Sequence, residues 1–399
     1  MQDPHKIRLE ANRELHARPF PEIPANCRLV HLCVRVSPKS RDAVRAWLKM
    51  RFSDFPEDFA GHWERTGTDN WVRIERHTEF VSITQVVPEG IQFTEIADSK
   101  WVDASPQDVL VLARVTAKVG GTLPEDAEAV STLRDGSVIA ASNFTADNAG
   151  FTAWTVIFEA DPGPAPAGRL LQMLLEIETY RTLAVMGMDR IRAVHPVLQD
   201  VANHLPKEAS VVQDHEQMIS TLSLLAEQEN QLHQVWESLA WRVGANQAYH
   251  ELVFDRLTQL SAKGLDGFVG IRHFLKRRLT PAVSTAETVM RRRAELSAQV
   301  NERAELLRTQ LQLNLQSQTR DLLASLDRSA DTQIRLQSAV EGLSTVAIAY
   351  YGVGLISPMV EPFVALEFKE YIKAILAPVV VVAVWWTLRR IRNRFGHNT

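Results

Sequence analysis

The sequence predicts a cytoplasmic α+β domain with a mainly antiparallel sheet, followed by a helical bundle with a long stalk helix and a two-helix transmembrane hairpin. Three observations predict this. Strand-period alternation fills residues 27–160 and then stops. Helical spacing follows, with neither Gly nor Pro between Pro281 and Gly342. Two uncharged apolar segments close the chain, and arginines follow the second at once.

In the first domain (1–160), CRLVHLCVRV (27–36) is apolar, β-branched and bounded by turns, and KSRDAVRAWLKMRF (39–52) has helical spacing. WVRIERH (71–77) and EFVSITQVV (79–87) form a strand pair. DVLVLARVTAKV (108–119), SVIAASNF (137–144) and FTAWTVIFE (151–159) continue the set. DPGPAPAG (161–168) is rich in residues that remove donors or free the backbone, which marks a linker. The helical domain covers 169–280, with a break at GLDGFVG (264–270).

Pro281 suits a first helical turn, so the stalk helix is placed at 281–341. Leu296, Val300, Ala304, Leu307, Leu311, Leu315, Leu322 and Leu326 make one apolar stripe, which Ala330 and Ile334 extend. A helix of that length spans about 90 Å and must lay its stripe on other helices or on copies of itself.

GLSTVAIAYYGVGLISPMV (342–360) has no charge and spans about 28 Å as a helix, close to a hydrocarbon core. AILAPVVVVAVWWTL (374–388) is the second membrane helix, with Trp385 and Trp386 at headgroup depth. The basic tail 389–399 opens on RRIRNR, which the positive-inside rule puts in the cytoplasm. Two spans then put the N-terminal bulk on the same side. The charged N-terminus agrees, having no apolar signal region. The connecting loop 361–373 faces outward and is acidic through Glu361, Glu367 and Glu370. The expected location is a bacterial inner membrane, with the lipid bilayer and other copies of the chain as partners.

Composition narrows the function. The 399 residues are 45% apolar and 23% charged, with a net charge of -4, so nothing suggests nucleic-acid binding. Cys27 and Cys33 share a strand face but lie too far apart to bridge, and no zinc-type spacing surrounds them. Nucleotide-loop, zinc-protease and hydrolase motifs do not occur, and no enzyme activity is expected. No cofactor is implied. Asp214, His215 and Glu216 diverge on a helix, as do Glu176 and Glu178, and His250 and Asp255 are off metal-ligand spacing. Carboxylates of neighbouring copies would have to meet to hold a divalent cation. Lys276–Arg278 and Arg291–Arg293 read as solvated faces paired with acids of neighbouring helices.

ELHARPF (14–20), VEGLSTVAIAYYGVG (340–354) and VWWTLRRIR (384–392) resemble a bacterial family of uncharacterised membrane-anchored proteins, a domain of unknown function spanning nearly the whole chain. The resemblance implies an anchor and no activity. The C-terminal architecture also resembles CorA-type magnesium transporters, which are homopentamers whose first membrane helix lines the pore and ends in Tyr-Gly-Met-Asn. Tyr351, Gly352, Val353 and Gly354 occupy that pattern and Glu361 falls near the loop acid. Gly354 stands where the motif has asparagine. That resemblance implies a divergent cation channel or transporter. The alternative is a non-conducting scaffold or sensor with a cytoplasmic binding domain.

Glu341 discriminates the two. A pore turns it to an aqueous lumen, whereas an anchor leaves it at the cytoplasmic interface while Gly352 and Gly354 serve helix packing. Glu14, His16 and Arg18 supply a carboxylate, an imidazole and a guanidinium without a nucleophile, and read as a structural latch or a binding motif.

Overall fold

The computed structural model describes residues 20–37, 40–57, 59, 61–67, 71–87, 90–93, 109–206, 214–360 and 369–395. The chain forms two compact units, residues 1–208 with 220–304, and residues 209–219 with 305–399.

The first unit is built on a nine-stranded sheet in the order β2-β3-β4-β1-β5-β8-β7-β6-β9. The strands are β1 Cys27–Arg35, β2 His62–Arg65, β3 Val72–Arg76, β4 Phe80–Val86, β5 Val109–Val119, β6 Ala129–Leu133, β7 Val138–Ala146, β8 Thr152–Phe158 and β9 Lys263–Gly264. The sheet is mixed. β5 and β8 run parallel, from Ala113 opposite Thr152 to Val119 opposite Phe158. The other strand pairings are antiparallel.

Both faces of the sheet are covered, so alternate residues of each strand enter two different cores. On one face Val30, Leu32, Val72, Ile74 and Ile83 pack with Val44, Trp47 and Leu48 of helix α1 (Arg41–Arg51). On the other, Leu29, Val115, Trp154 and Val156 pack with Leu170, Leu171, Leu174 and Ile177 of α2 (Pro164–Leu183). Short helices α3 (Met188–Ala193) and α4 (His195–His204) follow. Next come α5 (His215–Gln259), α6 (Ile271–Val360) and α7 (Lys369–Phe395). Val253 and Leu257 of α5, with Ile271 and Leu275 of α6, complete the second core.

The 161–168 stretch, read as a linker, already carries the start of α2 at Pro164, with Gly163 in a positive-φ conformation (80°) before it. Gly168 then lets the N-terminal segment lie directly on α2. A Cβ there would stand within van der Waals overlap of the Pro21 carbonyl oxygen, and Ile23 N–H donates to the Pro164 carbonyl at 3.1 Å.

The stalk and the first membrane segment are not separate helices. α6 runs through both and begins ten residues earlier than expected, at Ile271 rather than Pro281. Ile271, Phe274, Leu275 and Leu279 are buried, and that burial, about 2 kcal/mol for each large side chain, outweighs the one backbone hydrogen bond Pro281 cannot make. The apolar stripe divides along its length. Leu296, Val300, Ala304 and Leu307 are buried, whereas Leu315, Leu322, Leu326 and Ile334 are about half exposed or more.

The expected two-helix transmembrane hairpin is not shown among the described residues. Among the described residues, α6 alone has a segment long and apolar enough to cross a membrane. The apolar stretch described in α7 is Ala377–Thr387.

Candidate functional site

The helix-facing side of the sheet should be apolar throughout. It is apolar around β5, β8 and β7, and polar around β2, β3, β4 and β1. Strand register explains the pattern. One cross-strand row is Glu64, Arg73, Thr84 and His31, and the next is His62, Glu75, Ser82 and Cys33. A cavity of about 340 Å³ lies between these rows and helices α2 and α5, within the size range of small-molecule sites. Phe20, Trp71, Phe80 and Tyr180 supply aromatic wall, and Gln172, Glu176 and Arg256 reach in from the helices.

His31 is fully held. Its Nδ1 lies 2.8 Å from Thr84 Oγ1 and its Nε2 lies 2.9 Å from Thr179 Oγ1. Thr179 donates its own hydroxyl hydrogen to the Leu175 carbonyl at 2.9 Å. Thr179 therefore accepts from His31, which places the imidazole proton on Nε2 and makes Nδ1 the acceptor for Thr84. Burial pushes the His31 pKa down to about 4, against the smaller opposing pull of Glu178 and Glu75. The ring is neutral near pH 7.

The cations of the wall are paired. Arg73, 3% exposed, donates from Nη2 to Glu64 at 2.7 Å and from Nε at 3.1 Å, and its Nη1 reaches Gln172 Oε1 at 3.3 Å. Arg256 donates to Glu176 and to Asp255, and the Glu176 hydrogen bond and charge raise its pKa against the opposing effect of burial. Glu176 also accepts from Gln172 at 2.9 Å. His77 stacks on Phe80 with centroids 4.2 Å apart.

Glu75 differs. Its Oε1 is buried and accepts no hydrogen bond from a described residue; His62 Nδ1 is the ion-pair partner, at 3.6 Å. Burial works to raise its pKa, but His62, then Arg73 and His77, outweigh burial and hold the carboxyl below its usual range. The rim continues in a second network, where Glu79 accepts from Arg242 at 2.7 and 3.0 Å and from Tyr249 at 2.7 Å. Tyr249 stacks on Tyr180.

The residues singled out in the sequence lie elsewhere. Tyr351 is exposed and contacts Tyr350 edge-on at 5.8 Å. A Cβ on Gly352 would stand 3.1 Å from Val380 Cγ1 of α7, whereas Gly354 has open space around it. Val353 is half-buried and Glu341 exposed, with Thr345 donating to the Glu341 carbonyl at 2.8 Å. Glu14, His16, Arg18, Glu361 and Glu367 lie outside the described residues, and Glu370 falls in α7.

Glu176 and Glu178 do diverge. Glu176 faces the cavity, while Glu178 is buried against Arg181 (2.5 Å) and accepts from Trp154 Nε1 at 3.0 Å. Cys27 and Cys33 are free thiols. Among the described residues no group of three His, Cys, Asp or Glu side chains could hold a metal ion.

Sequence reasoning passed over the cavity because Arg73, Glu75, Ser82 and Thr84 alternate with apolar neighbours. That pattern ordinarily marks a solvent face. The signal was their coincidence on paired strands with a following helix, α2, that buries eleven of its twenty residues.

Comparison with curated proteins gives no match. A family model described as a protein of unknown function (DUF3422) matches residues 3–395, and the chain belongs to that family.

Proposed function

We propose that the protein is a membrane-anchored binding protein, a sensor or scaffold whose α+β unit takes a small ligand into the cavity over β3 and β4. The observation that carries this reading is the double row of polar side chains on a helix-covered sheet face. Burying polar and charged groups is costly. Here they line about 340 Å³ of space instead of being replaced by an apolar core. The apolar end of α6 supplies the anchor, and the α7 segment would return beside it, leaving both termini cytoplasmic. Gly352 against Val380 supports that packing, since glycine allows close helix approach.

The test is thermal unfolding of the full chain in detergent against a panel of acids, amines, sugars and nucleosides, beside Ser82→Leu, which fills part of the cavity. A ligand that raises the wild-type midpoint and leaves Ser82→Leu unmoved supports the reading. A panel without any shift overturns it. Carbonate extraction of membranes tests the anchor, which must stay in the pellet.

A second reading, a cation conductor with α6 lining its pore, draws on the exposed Tyr351 and the open space at Gly354. Flux of magnesium, nickel or potassium from proteoliposomes, lost in Gly354→Leu, would favour it over the binding reading.

A further inference from the structure

We propose that the cavity is built for an organic cation, an amine on an apolar body whose ammonium meets the carboxylate of Glu75. This rests on the binding reading above and specifies its ligand. The argument begins with which charges already have partners. Arg73 is paired with Glu64, and Arg256 with Glu176. An anionic ligand would have to displace one of these carboxylates to gain a guanidinium.

Glu75 is the reverse case. Its Oε1, sealed from solvent, faces the imidazole of His62, Nδ1 at 3.6 Å, where Glu64 and Glu176 are each held by an arginine. His62 is itself shared, lying 3.7 Å from Glu64. An ammonium reaching the Glu75 carboxylate from the cavity adds a charge-assisted donor that an imidazole alone does not match.

The surrounding wall suits the rest of such a ligand. Phe80, Trp71, Tyr180 and Phe20 line the same cavity, and aromatic faces attract cations while accepting apolar bodies. Met173 and Leu175 add aliphatic surface. A metal ion is the other kind of cation, but it needs several converging ligands, and no such cluster exists among the described residues. Of the two wall carboxylates Glu176 is held by Arg256, which leaves Glu75 to meet one ammonium.

The experiment is calorimetric titration of the full chain in detergent with phenethylamine, 2-phenylethanol and phenylacetate. These share a ring and differ in the charge of one end. Agmatine, spermidine and choline are titrated as amines of other shapes. At least one amine should bind, with phenethylamine at least about tenfold tighter than its alcohol and acid analogues.

Glu75→Gln should remove amine binding while keeping the wild-type circular dichroism spectrum. Glu75→Asp, which keeps the charge on a shorter arm, should weaken binding but retain it. Amine binding that survives in a folded Glu75→Gln overturns the proposal, as does tighter binding of phenylacetate. If no amine binds while acids, sugars or nucleosides stabilise the wild type, this proposal fails and the binding reading stands. If nothing binds, both fail.

Discussion

Thr179 accepts the Nε2 proton of His31 at 2.9 Å because its own hydroxyl hydrogen goes to Leu175. This contact ties β1 to α2 and fixes the imidazole in one neutral tautomer.

A pH dependence follows from it. Burial lowers the His31 pKa from 6.5 to about 4, so between those values the unfolded chain binds a proton that the folded chain refuses. The His31 contribution is fully present above pH 6.5 and is lost as the pH drops toward 4, about 3 kcal/mol in all. Thermal midpoints followed by tryptophan fluorescence should show that slope, and His31→Gln should flatten it within this window.

Glu64→Gln should destabilise the first unit by roughly 3 kcal/mol, because it leaves the deeply buried Arg73 without its charge partner. Glu64→Leu combined with Arg73→Met should cost less than Glu64→Gln alone. Denaturant midpoints of the three variants decide the matter.

Gly168→Ala should cost about 2–3 kcal/mol through overpacking, since its Cβ meets the backbone of Pro21 rather than a movable side chain. The segment would have to lift off α2, and Phe20 would shift at the cavity rim. Faster proteolysis near residue 21 would report that movement.

Cys27 and Cys33 should resist thiol reagents in the folded protein, since burial pushes both pKa values up to about 12. Denaturant should release both together. That silent background allows a further measurement. Leu322 and Leu326 are exposed on one face of α6. If copies of the chain cover that face, Leu322→Cys should form a disulfide-linked dimer under mild oxidation, and Glu302→Cys, away from the stripe, should not.

Most of the sheet was readable because its apolar residues carry the pattern. The predicted strands 27–36, 71–77, 79–87, 108–119, 137–144 and 151–159 each match an observed strand. β2 was missed because HWER is polar and half-buried along its length. β6 was missed because Ala129–Leu133 is short and mixed in character. Pro281 set the start of α6 too late, since packing of Phe274 and Leu275 decides that end. The cavity was legible only in the paired polar positions of β3 and β4. His31, Glu75 and Gln172 are far apart in sequence, and strand register together with helix docking brings them to one wall. The expected sites near Tyr351 came from a motif resemblance, and a motif does not reveal what lies around it.

The parallel seam between β5 and β8 has a consequence for synthesis. β1 through β5 form a connected set of antiparallel partners, so five strands can pair as soon as Val119 has left the ribosome. The free edge of β5 then stays open until Thr152–Phe158 has been made and the chain has doubled back through β6 and β7. An apolar edge exposed during that interval is a template for pairing with a neighbouring nascent chain. Slowing translation between residues 120 and 160 should therefore lower the yield of folded protein more than slowing it after residue 165.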